Sequence, residues 1–449
     1  MTGDPPAAHP SGPERVTPRA LERRVKRWLL GGPFDCYVQV APGLEELLAS
    51  ELLDGGFAEE RSALRVERGG IALAPDHAGV MRANLELRTA SRVLLRLGEF
   101  PAASPEMLYD RARGVPWLTQ IGFASTYNLH VTSRHSKLQA GDGVANTVAS
   151  AVARELRPLG LYPRLAPDAG LLFHVHLQND RCTLSLDTSG DHLHRRGVRT
   201  HVHTAPVRET LAAAMVLTGM RRLNGPPDVV VDPFCGSGTL LIEAADALAG
   251  LPPGRHRAFA FERAAWFRAG AYREVRRQAE RRTEEEALPA STTRIIGIDS
   301  DTEALGAARA NLARPEYAGV TLELGDSTRF DFAALGGRRG AHRGLVLANL
   351  PYGVRLGERR EAVATARAFL ERLAGSGSTW EVVLLTTDPE ALLPHVSDAH
   401  VVRTRNGGLA VTLVCGLVGN GPGDRGPSLE AASPPHSASH GRNGGMFNQ

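Results

Sequence analysis

The chain has 449 residues, 42% of them hydrophobic and 22% charged, with a formal net charge of only +3. That length predicts two or three domains, and that composition is of the ordinary water-soluble globular kind. It holds no run of ~18 apolar residues of the sort that spans a bilayer, and the near-neutral charge does not demand a polyanionic partner. Lysine occurs only as Lys26 and Lys137, so the remaining cations are arginines. Their planar forks suit phosphates and base edges, though a GC-rich genome produces the same bias. Cys36, Cys182, Cys235 and Cys415 lie far apart without a CxxC pair, which argues against a disulfide scaffold or a Cys-rich zinc site and fits a reducing, cytoplasmic setting. The N-terminus lacks the apolar stretch of a secretory signal.

Residues 1–33 and 419–449 are rich in Pro, Gly, Ser or Arg and carry too little apolar surface to offset their ordering entropy, so both are expected to be disordered tails. Within the first, Thr17–Leu30 reads equally as a short basic helix or a solvated tail. Between the tails lie two blocks. In the first, about 34–190, CYVQVA reads as a strand and GLEELLASELLDGG as an amphipathic helix stopped by two glycines. There follow a hairpin (LRVERGGIALA), a helix and strand (HAGVMRANLELRTASRVLLRL), a strand (YNLHVTSR), a helix over about 142–157 and a second hairpin ending at LSLDTSG. This mixture predicts compact α+β units.

The second block, 204–418, opens with a helix and then alternates regularly. VVVD, RIIGID, VTLELGD, GLVLAN and WEVVLLTT read as buried strands, with helical segments between most of them. That pattern predicts a mostly parallel, doubly wound sheet of Rossmann type. HVVRTRNGGLAVTLVCGL closes it as an antiparallel hairpin.

Chemistry concentrates at the strand ends. The first strand ends at Asp232 and runs through Phe234, Cys235, Gly236, Ser237 and Gly238 into a helix. Glycines here let a ligand approach the backbone, at the end of the sheet where open α/β folds bind ligands. A phosphate-binding GKS or GKT is absent. The next strand ends at Asp299 and Ser300, placed to accept ribose hydroxyls, and the third at Asp326 and Ser327, placed to meet an adenine amine. Three ordered acidic tips with a glycine turn describe an S-adenosylmethionine site better than a dinucleotide site. The fourth strand runs into Asn349-Leu350-Pro351-Tyr352. The Asn349 oxygen and the Leu350 carbonyl can accept the two N–H groups of a conjugated amine and aim its lone pair at a methyl donor. Tyr352 can stack on the base, as in flipped-base pockets. The same loop suits guanine N2 and adenine N6.

Asp232 and Asp299 are 67 residues apart, against ~20 in the usual nucleotide unit. Residues about 250–290 therefore read as an insertion. Its arginines at 263, 268, 273, 276 and 277 either touch RNA phosphates or form a solvated face packed at the sheet edge.

Together these motifs resemble the THUMP-domain class I RNA methyltransferases, especially the RlmL-like guanine-N2 group. YVQVAPGLEELLASELLDGGF is similar to that family's ferredoxin-like segment (34–75), and YNLHVTSRHSKLQAGDGVANTVASAV to its THUMP stretch (76–190). LSLDTSGDHLHRRGVRTHVHTAPVRETLAAAMVL resembles the connector, bounded here at 191–203, that leads into the methyltransferase domain (204–418). The resemblance implies an S-adenosylmethionine cofactor and a structured RNA partner, ribosomal or transfer RNA. It implies RNA contacts at Arg134, His135 and Lys137 and in the connector at His194, Arg195, Arg196 and Arg199. Where the family often has GYR the chain has Gly197-Val198-Arg199, and where RlmL-like proteins have NPPYG it has NLPYG, which is similar to the tRNA-modifying branch. The 449 residues hold one methyltransferase pattern rather than the two of fused ribosomal enzymes. Three HxH pairs (174/176, 192/194, 201/203) lack cysteines or paired carboxylates beside them, so no metal is expected. No membrane association is expected. Two other readings remain: an RNA-binding module with an inactive catalytic domain, and a DNA adenine-N6 methyltransferase.

Overall fold

The computed structural model describes residues 15–201, 207–286, 293–335, 343–352 and 356–419. The expected C-terminal tail from 420 and the first 14 residues lie outside these. Residues 15–33 correct the expectation of a tail. Helix α1 spans Pro18–Leu30, with Thr17 capping the Ala20 N–H at 3.2 Å and Pro18 opening the first turn. Leu21, Val25 and Trp28 form one stripe. The first two are buried, and the Trp28 ring packs 4.5 Å from Phe34 and 6.3 Å from Trp266. That apolar stripe, hidden in a strongly basic segment, holds the helix down.

The first domain contains β1 (Cys36–Gln39), α2 (Glu45–Asp54), β2 (Arg65–Glu67), β3 (Gly70–Leu73), α3 (His77–Glu86) and β4 (Arg92–Pro101). It continues with α4 (Pro105–Arg113), α5 (Trp117–Ile121), β5 (Thr126–Arg134), α6 (Asp142–Leu156), β6 (Arg164–Leu165), β7 (Leu171–Gln178) and β8 (Arg181–Asp187). The strands make one sheet, ordered β2-β3-β1-β4-β8-β7-β5-β6. The expected boundary at 75/76 does not divide it. The ten-residue β4 pairs with β1 through Arg92–Leu95 and with β8 through Leu94–Pro101, so two apparent units share a spine. Along β7 the burial alternates, with Phe173, Val175 and Leu177 inward and His174, His176 and Gln178 on the other face.

The second domain runs α7 (Glu209–Arg222), β9 (Val229–Asp232), α8 (Thr239–Leu248), α9 (Ala269–Glu286), β10 (Arg294–Asp299), α10 (Thr302–Asn311) and β11 (Val320–Leu324). It ends with β12 (Gly344–Asn349), α11 (Leu356–Ala374), β13 (Trp380–Thr386), β14 (Ser397–Asn406) and β15 (Leu409–Val418). The sheet order is β11-β10-β9-β12-β13-β15-β14. The strands from β11 to β13 are parallel, and the final hairpin is antiparallel. Wholly buried β9 and β13 account for their largely apolar sequences, with Asp232 at the tip of β9 and Glu381, paired with Arg222, in β13. The chain leaves β9 for β10 on one side and returns to β12 on the other, so the crevice between β9 and β12 is the topological switch point.

The inserted segment joins the domains. Phe259, Phe261, Trp266, Phe267 and Tyr272 form a ring cluster, and four backbone N–H groups of the segment bond the first domain: Gly254 to Leu85, Ala260 to Ser189, Phe261 to Thr188 and Ala265 to Gln120. Its arginines are largely spent internally. Arg268 donates to the Ala265 and Phe267 carbonyls, Arg276 to that of Arg255, and Arg277 pairs with Glu274. Arg263 and Arg273 are exposed. Packing, against the first domain rather than the sheet edge, is what this segment does.

A buried ion pair seals the junction. Arg196, 4% exposed, donates to Glu243, 1% exposed, at 3.1 Å, and also to the Leu193 and Arg88 carbonyls. Breaking such a pair strands a buried charge, at a typical cost of ~3–5 kcal/mol, whereas replacing both partners with apolar groups is far milder. Arg196→Ala should therefore lower stability in urea unfolding by an amount in that range, and Arg196→Met with Glu243→Leu should recover most of it. Equal losses in the two variants would contradict the pairing.

Candidate active site

The turn after β9 is built by its neighbours. The Cys235 N–H donates to the Ile298 carbonyl at 3.0 Å, and the Gly238 N–H to the Cys235 carbonyl at 2.8 Å. Gly236 (φ +52°) and Gly238 (φ +84°) adopt the left-handed conformation that favours glycine. Open space, with nothing within 4 Å, lies where a Gly236 Cβ would project. Asp299 holds the turn from below, its carboxylate accepting the Gly236 N–H at 2.8 Å and the Asp301 N–H at 2.9 Å. Asp232 accepts the Phe234 N–H at 3.2 Å. Burial first, then the nearby Asp299 charge, pushes the Asp232 carboxyl well above the usual carboxylate range. Burial likewise pushes the Cys235 thiol up, so it is no thiolate.

Asp232, Phe234, Cys235, Gly236, Ser237, Asp299 and Ser300 line one cavity of about 520 Å³ together with Asn349, Leu350, Pro351 and Tyr352. Two stretches separated by more than a hundred residues thus meet at the switch point. Gly238 sits behind the cavity as the N-cap of α8. Asp326 and Ser327 are not part of the lining. The Asp326 carboxylate, half exposed, instead accepts the Thr328 N–H and hydroxyl at 2.9 and 2.7 Å, closing its own turn and lying below its ordinary value for that reason. Ser327 is buried. The lining also includes Val207, Thr239, Asp301 and Thr365, which the sequence reading did not single out. Asp301 was legible as the N-cap of α10, accepting the Glu303 N–H at 2.8 Å. Thr365, mid-helix on α11, carries no local signal.

The Tyr352 hydroxyl donates to the Asn349 side-chain oxygen. Burial pushes this phenol up to about 12, so it stays a donor near neutrality.

The RNA-binding expectations divide. Arg134, His135 and Lys137 are exposed where β5 ends, in a loop tied to the β7–β8 turn: the Lys137 N–H donates to Asp180 at 2.7 Å and the Asp180 N–H to Ser136 at 3.1 Å. Arg195 is exposed, 3.5 Å from Asp191. His194 is half-buried, and burial followed by the Arg208 charge holds it down at about 4. Arg196 and Arg199 are corrections. Arg196 is consumed by Glu243, and Arg199 by Glu209 at 3.0 Å and the Thr239 hydroxyl at 2.9 Å. Buried carboxylates require counter-ions, and the connector arginines serve that need rather than an external phosphate. Of the three HxH pairs, position 203 lies outside the described residues. Among the described residues, no group of three or more potential metal ligands is gathered, and no helix is long and apolar enough to cross a membrane.

Residues 196–408 match the family model described as the RMKL-like methyltransferase domain, and residues 35–94 match the RlmL ferredoxin-like domain. The second domain belongs to the RMKL-like methyltransferase family. The ferredoxin-like match runs on into β4, in keeping with a unit that needs that strand. A ribosomal RNA large subunit methyltransferase K/L from Syntrophotalea carbinolica is 34% identical over 401 residues, covering 86% of this chain and 54% of the relative. The chain spans about half the length of the curated relatives it matches. Among solved structures, SMU.472, described as a methyltransferase complexed with SAH, aligns with a TM-score of 0.72 at 28% identity, covering 85% of this chain and 97% of that one. A Listeria monocytogenes protein described as a predicted N6-adenine-specific DNA methylase aligns at 0.73 and 26%, covering 87% and 97%.

The RMKL-like domain's turn leaves no slack beneath it. A Cβ on Gly297 in β10 would come within 2.4 Å of Leu241, 2.9 Å of Leu322 and 3.1 Å of the Cys235 Cβ. Gly297→Ala should cost ~1–3 kcal/mol through overpacking, read as a lower midpoint in thermal or denaturant unfolding. Unchanged stability would show that the turn's support is looser than drawn.

Proposed function

We propose that the protein transfers a methyl group from S-adenosylmethionine to the exocyclic N2 amine of a guanine in structured RNA, ribosomal or transfer. The observation that carries this reading is the meeting of Asp232, Asp299 and the glycine turn with Asn349-Leu350-Pro351-Tyr352 around one cavity. The site suits that cofactor. The space beside Gly236 admits a ligand against the backbone, and each Asp299 oxygen, bonded to one N–H, keeps a lone pair for a ribose hydroxyl. The Asp232 and Asp299 carboxylates favour a ligand that bears positive charge. When bound, the cofactor supplies an electrophilic methyl group on a sulfonium.

The chain's own work is positioning. The Asn349 oxygen and the Leu350 carbonyl accept the two amine N–H groups, turning the lone pair towards the methyl group. No strong base is required, because the nitrogen becomes acidic as its bond to carbon forms. A carbon-5 pyrimidine transfer would need a thiol at this loop, and the loop has none. Since the loop itself suits guanine N2 and adenine N6 alike, the choice of RNA rests on likeness to relatives named as ribosomal RNA large subunit methyltransferases, and the choice of guanine on the resemblance to the RlmL-like guanine-N2 group. Such a substrate puts the protein in the cytoplasm.

The RNA surface in this reading is the first domain acting as a THUMP module. Exposed Arg134, His135 and Lys137 adjoin the uncovered polar face carrying His130, Thr132 and His176, and exposed His192 and Arg195 of the connector extend it. The imidazoles of His192 and His194 lie 5.5 Å apart, stacked.

Nucleoside mass spectrometry of RNA treated with the enzyme should yield N2-methylguanosine. Asn349→Ala should lose ~10²-fold or more in rate while keeping its cofactor affinity. A mark on adenosine or cytidine, methylation of duplex DNA instead of RNA, or a fully active Asn349→Ala would each reject the assignment. Asp299→Ala should weaken S-adenosylmethionine binding by ~1–3 kcal/mol in calorimetry, the usual effect of losing a hydrogen bond in such a site.

Combined Arg134→Ala, His135→Ala and Lys137→Ala should reduce RNA affinity and flatten its dependence on salt, because phosphate contacts release counter-ions. Cofactor affinity should not move. RNA binding retained by this variant would place the surface elsewhere.

A further inference from the structure

We propose that the outward face of α1 is a second RNA-binding surface, on which Arg19, Arg23, Lys26 and Arg27 contact backbone phosphates of a structured RNA. This rests on the RNA reading above and adds to it a surface outside both family matches, which cover residues 35–94 and 196–408. Arg15, Arg19, Arg23, Arg24, Lys26 and Arg27 are all exposed. Among the described residues, none of them forms an ion pair with a carboxylate. The arginines of the connector and the insertion behave oppositely, being mostly taken up by buried carboxylates or backbone carbonyls.

Helical spacing gathers these cations. At 3.6 residues per turn, Arg19, Arg23, Lys26 and Arg27 fall within roughly 100° of one another, opposite the stripe of Leu21, Val25 and Trp28 that packs onto the protein. The basic face runs about 12 Å along the helix from Arg19 to Arg27. Arg19 and Arg23 stand four residues apart, as do Arg23 and Arg27, so like charges repel along it. Arg19 also sits in the first turn, where the helix dipole disfavours a cation. Glu22 is the only acid in α1. The buried stripe thus holds this face together against its own charge, and a polyanion laid along it would remove the repulsion.

The neighbouring surface suits RNA. The Val16 N–H donates to the Leu159 carbonyl at 2.9 Å, and Arg15 lies against Gly160, where a Cβ would meet its Cγ at 2.8 Å. These contacts bring the start of α1 beside the stretch that carries exposed Arg157, Tyr162 and Arg164. Leu21 comes within 3.4 Å of where a Gly122 Cβ would stand, and the residue after Gly122 is Phe123. Phe123 is 52% exposed and Tyr162 65%. Rings left in the open among cations are stacking platforms for unpaired bases. A lipid surface fits less well, because a helix that lies on a membrane needs a free apolar face. The apolar residues of α1 are buried or half-buried except for Leu30.

The test is a full-length variant carrying Arg19→Gln, Arg23→Gln, Lys26→Gln and Arg27→Gln, compared with one carrying Arg19→Lys, Arg23→Lys and Arg27→Lys, which keeps every charge. Affinity for purified large-subunit ribosomal RNA is measured across a salt series, with the thermal midpoint and with binding to vesicles of equal parts phosphatidylcholine and phosphatidylglycerol. The Gln variant should bind the RNA at least about tenfold more weakly at ~0.1 M salt, and its log affinity should fall with log salt less steeply by about 3 units. The Lys variant should stay within about threefold of wild type, since an ammonium serves a phosphate as a point charge. The midpoint of the Gln variant should be no lower than that of wild type, because like-charge pairs are removed. RNA affinity and salt dependence unchanged in the Gln variant would overturn the proposal, whether or not vesicle binding is lost. So would an equal loss in the Lys variant, or a loss accompanied by a lower midpoint. Methyl transfer from tritiated S-adenosylmethionine to the same RNA keeps the two readings apart. A wild-type chain that binds this RNA and methylates none of it rejects the functional reading, and the binding series alone then decides the role of α1.

Discussion

The structure depends on charges that cannot be left alone in its interior. Glu243 and Asp246 both lie on α8, the helix that begins where the cofactor-type turn ends, and both are buried. Desolvation pushes the Glu243 carboxyl upward, and Arg196 opposes that push. Asp246 takes a two-pronged bond from Arg255 at 2.7 and 2.8 Å and a third from the Tyr317 hydroxyl at 3.1 Å. Arg88, of the first domain, donates to the Asp246 and Leu251 carbonyls at 2.9 and 2.6 Å. One face of α8 therefore binds the connector, the insertion and the first domain at once. Its opposite end delivers the glycine turn. The orientation of the first domain relative to the cavity is set by this helix, because any rotation would unpair a buried charge, at a cost of several kcal/mol.

That arrangement explains why the connector looks like an RNA-binding motif and mostly is not one. RRGVR reads as a basic loop. Yet Arg196 and Arg199 each find a carboxylate at or below a tenth exposure, Glu243 and Glu209, and only Arg195 remains outside. Asn311, buried at the end of α10, adds a neutral clamp: its oxygen accepts the Thr200 and His201 N–H groups at 3.0 Å each, and its amide donates to the Ser237 carbonyl at 3.0 Å. The connector is thereby tied to the same turn that Asp299 supports.

Much of this was legible in the sequence, and the failures share a cause. Periodicity and punctuation placed the parallel strands, the glycine turn and the Asn349–Tyr352 loop, since each is a local property of a few residues. What local reading misses is partnership. It cannot tell that β4 belongs to two units at once, that α1 buries Leu21 and Val25 beneath a basic exterior, or that Arg268 and Arg276 of the insertion bond backbone carbonyls. Asp326 shows the limit most clearly. It stands at a strand tip like Asp232 and Asp299, but Thr328, two residues on, offers its carboxylate a closer partner, and the side chain turns to cap its own loop.

The cavity floor then presents two carboxylates with different duties. Asp299 is held by two backbone N–H groups. Asp232 is more deeply buried, accepts one N–H at 3.2 Å, and feels its neighbour's charge. Two like charges this close raise the cost of ionising the more buried one. A neutral ligand would not relieve that cost. A cation would, by lowering the Asp232 pKa as it binds, so proton release and cation binding are linked at this site. The Asn349–Tyr352 stretch of the same lining carries no ionised group. Charge is thus confined to the floor that a cationic donor would occupy, and the wall that would meet a base offers only neutral hydrogen-bond partners. That division suits a reaction in which geometry, rather than acid–base chemistry, does the catalysis.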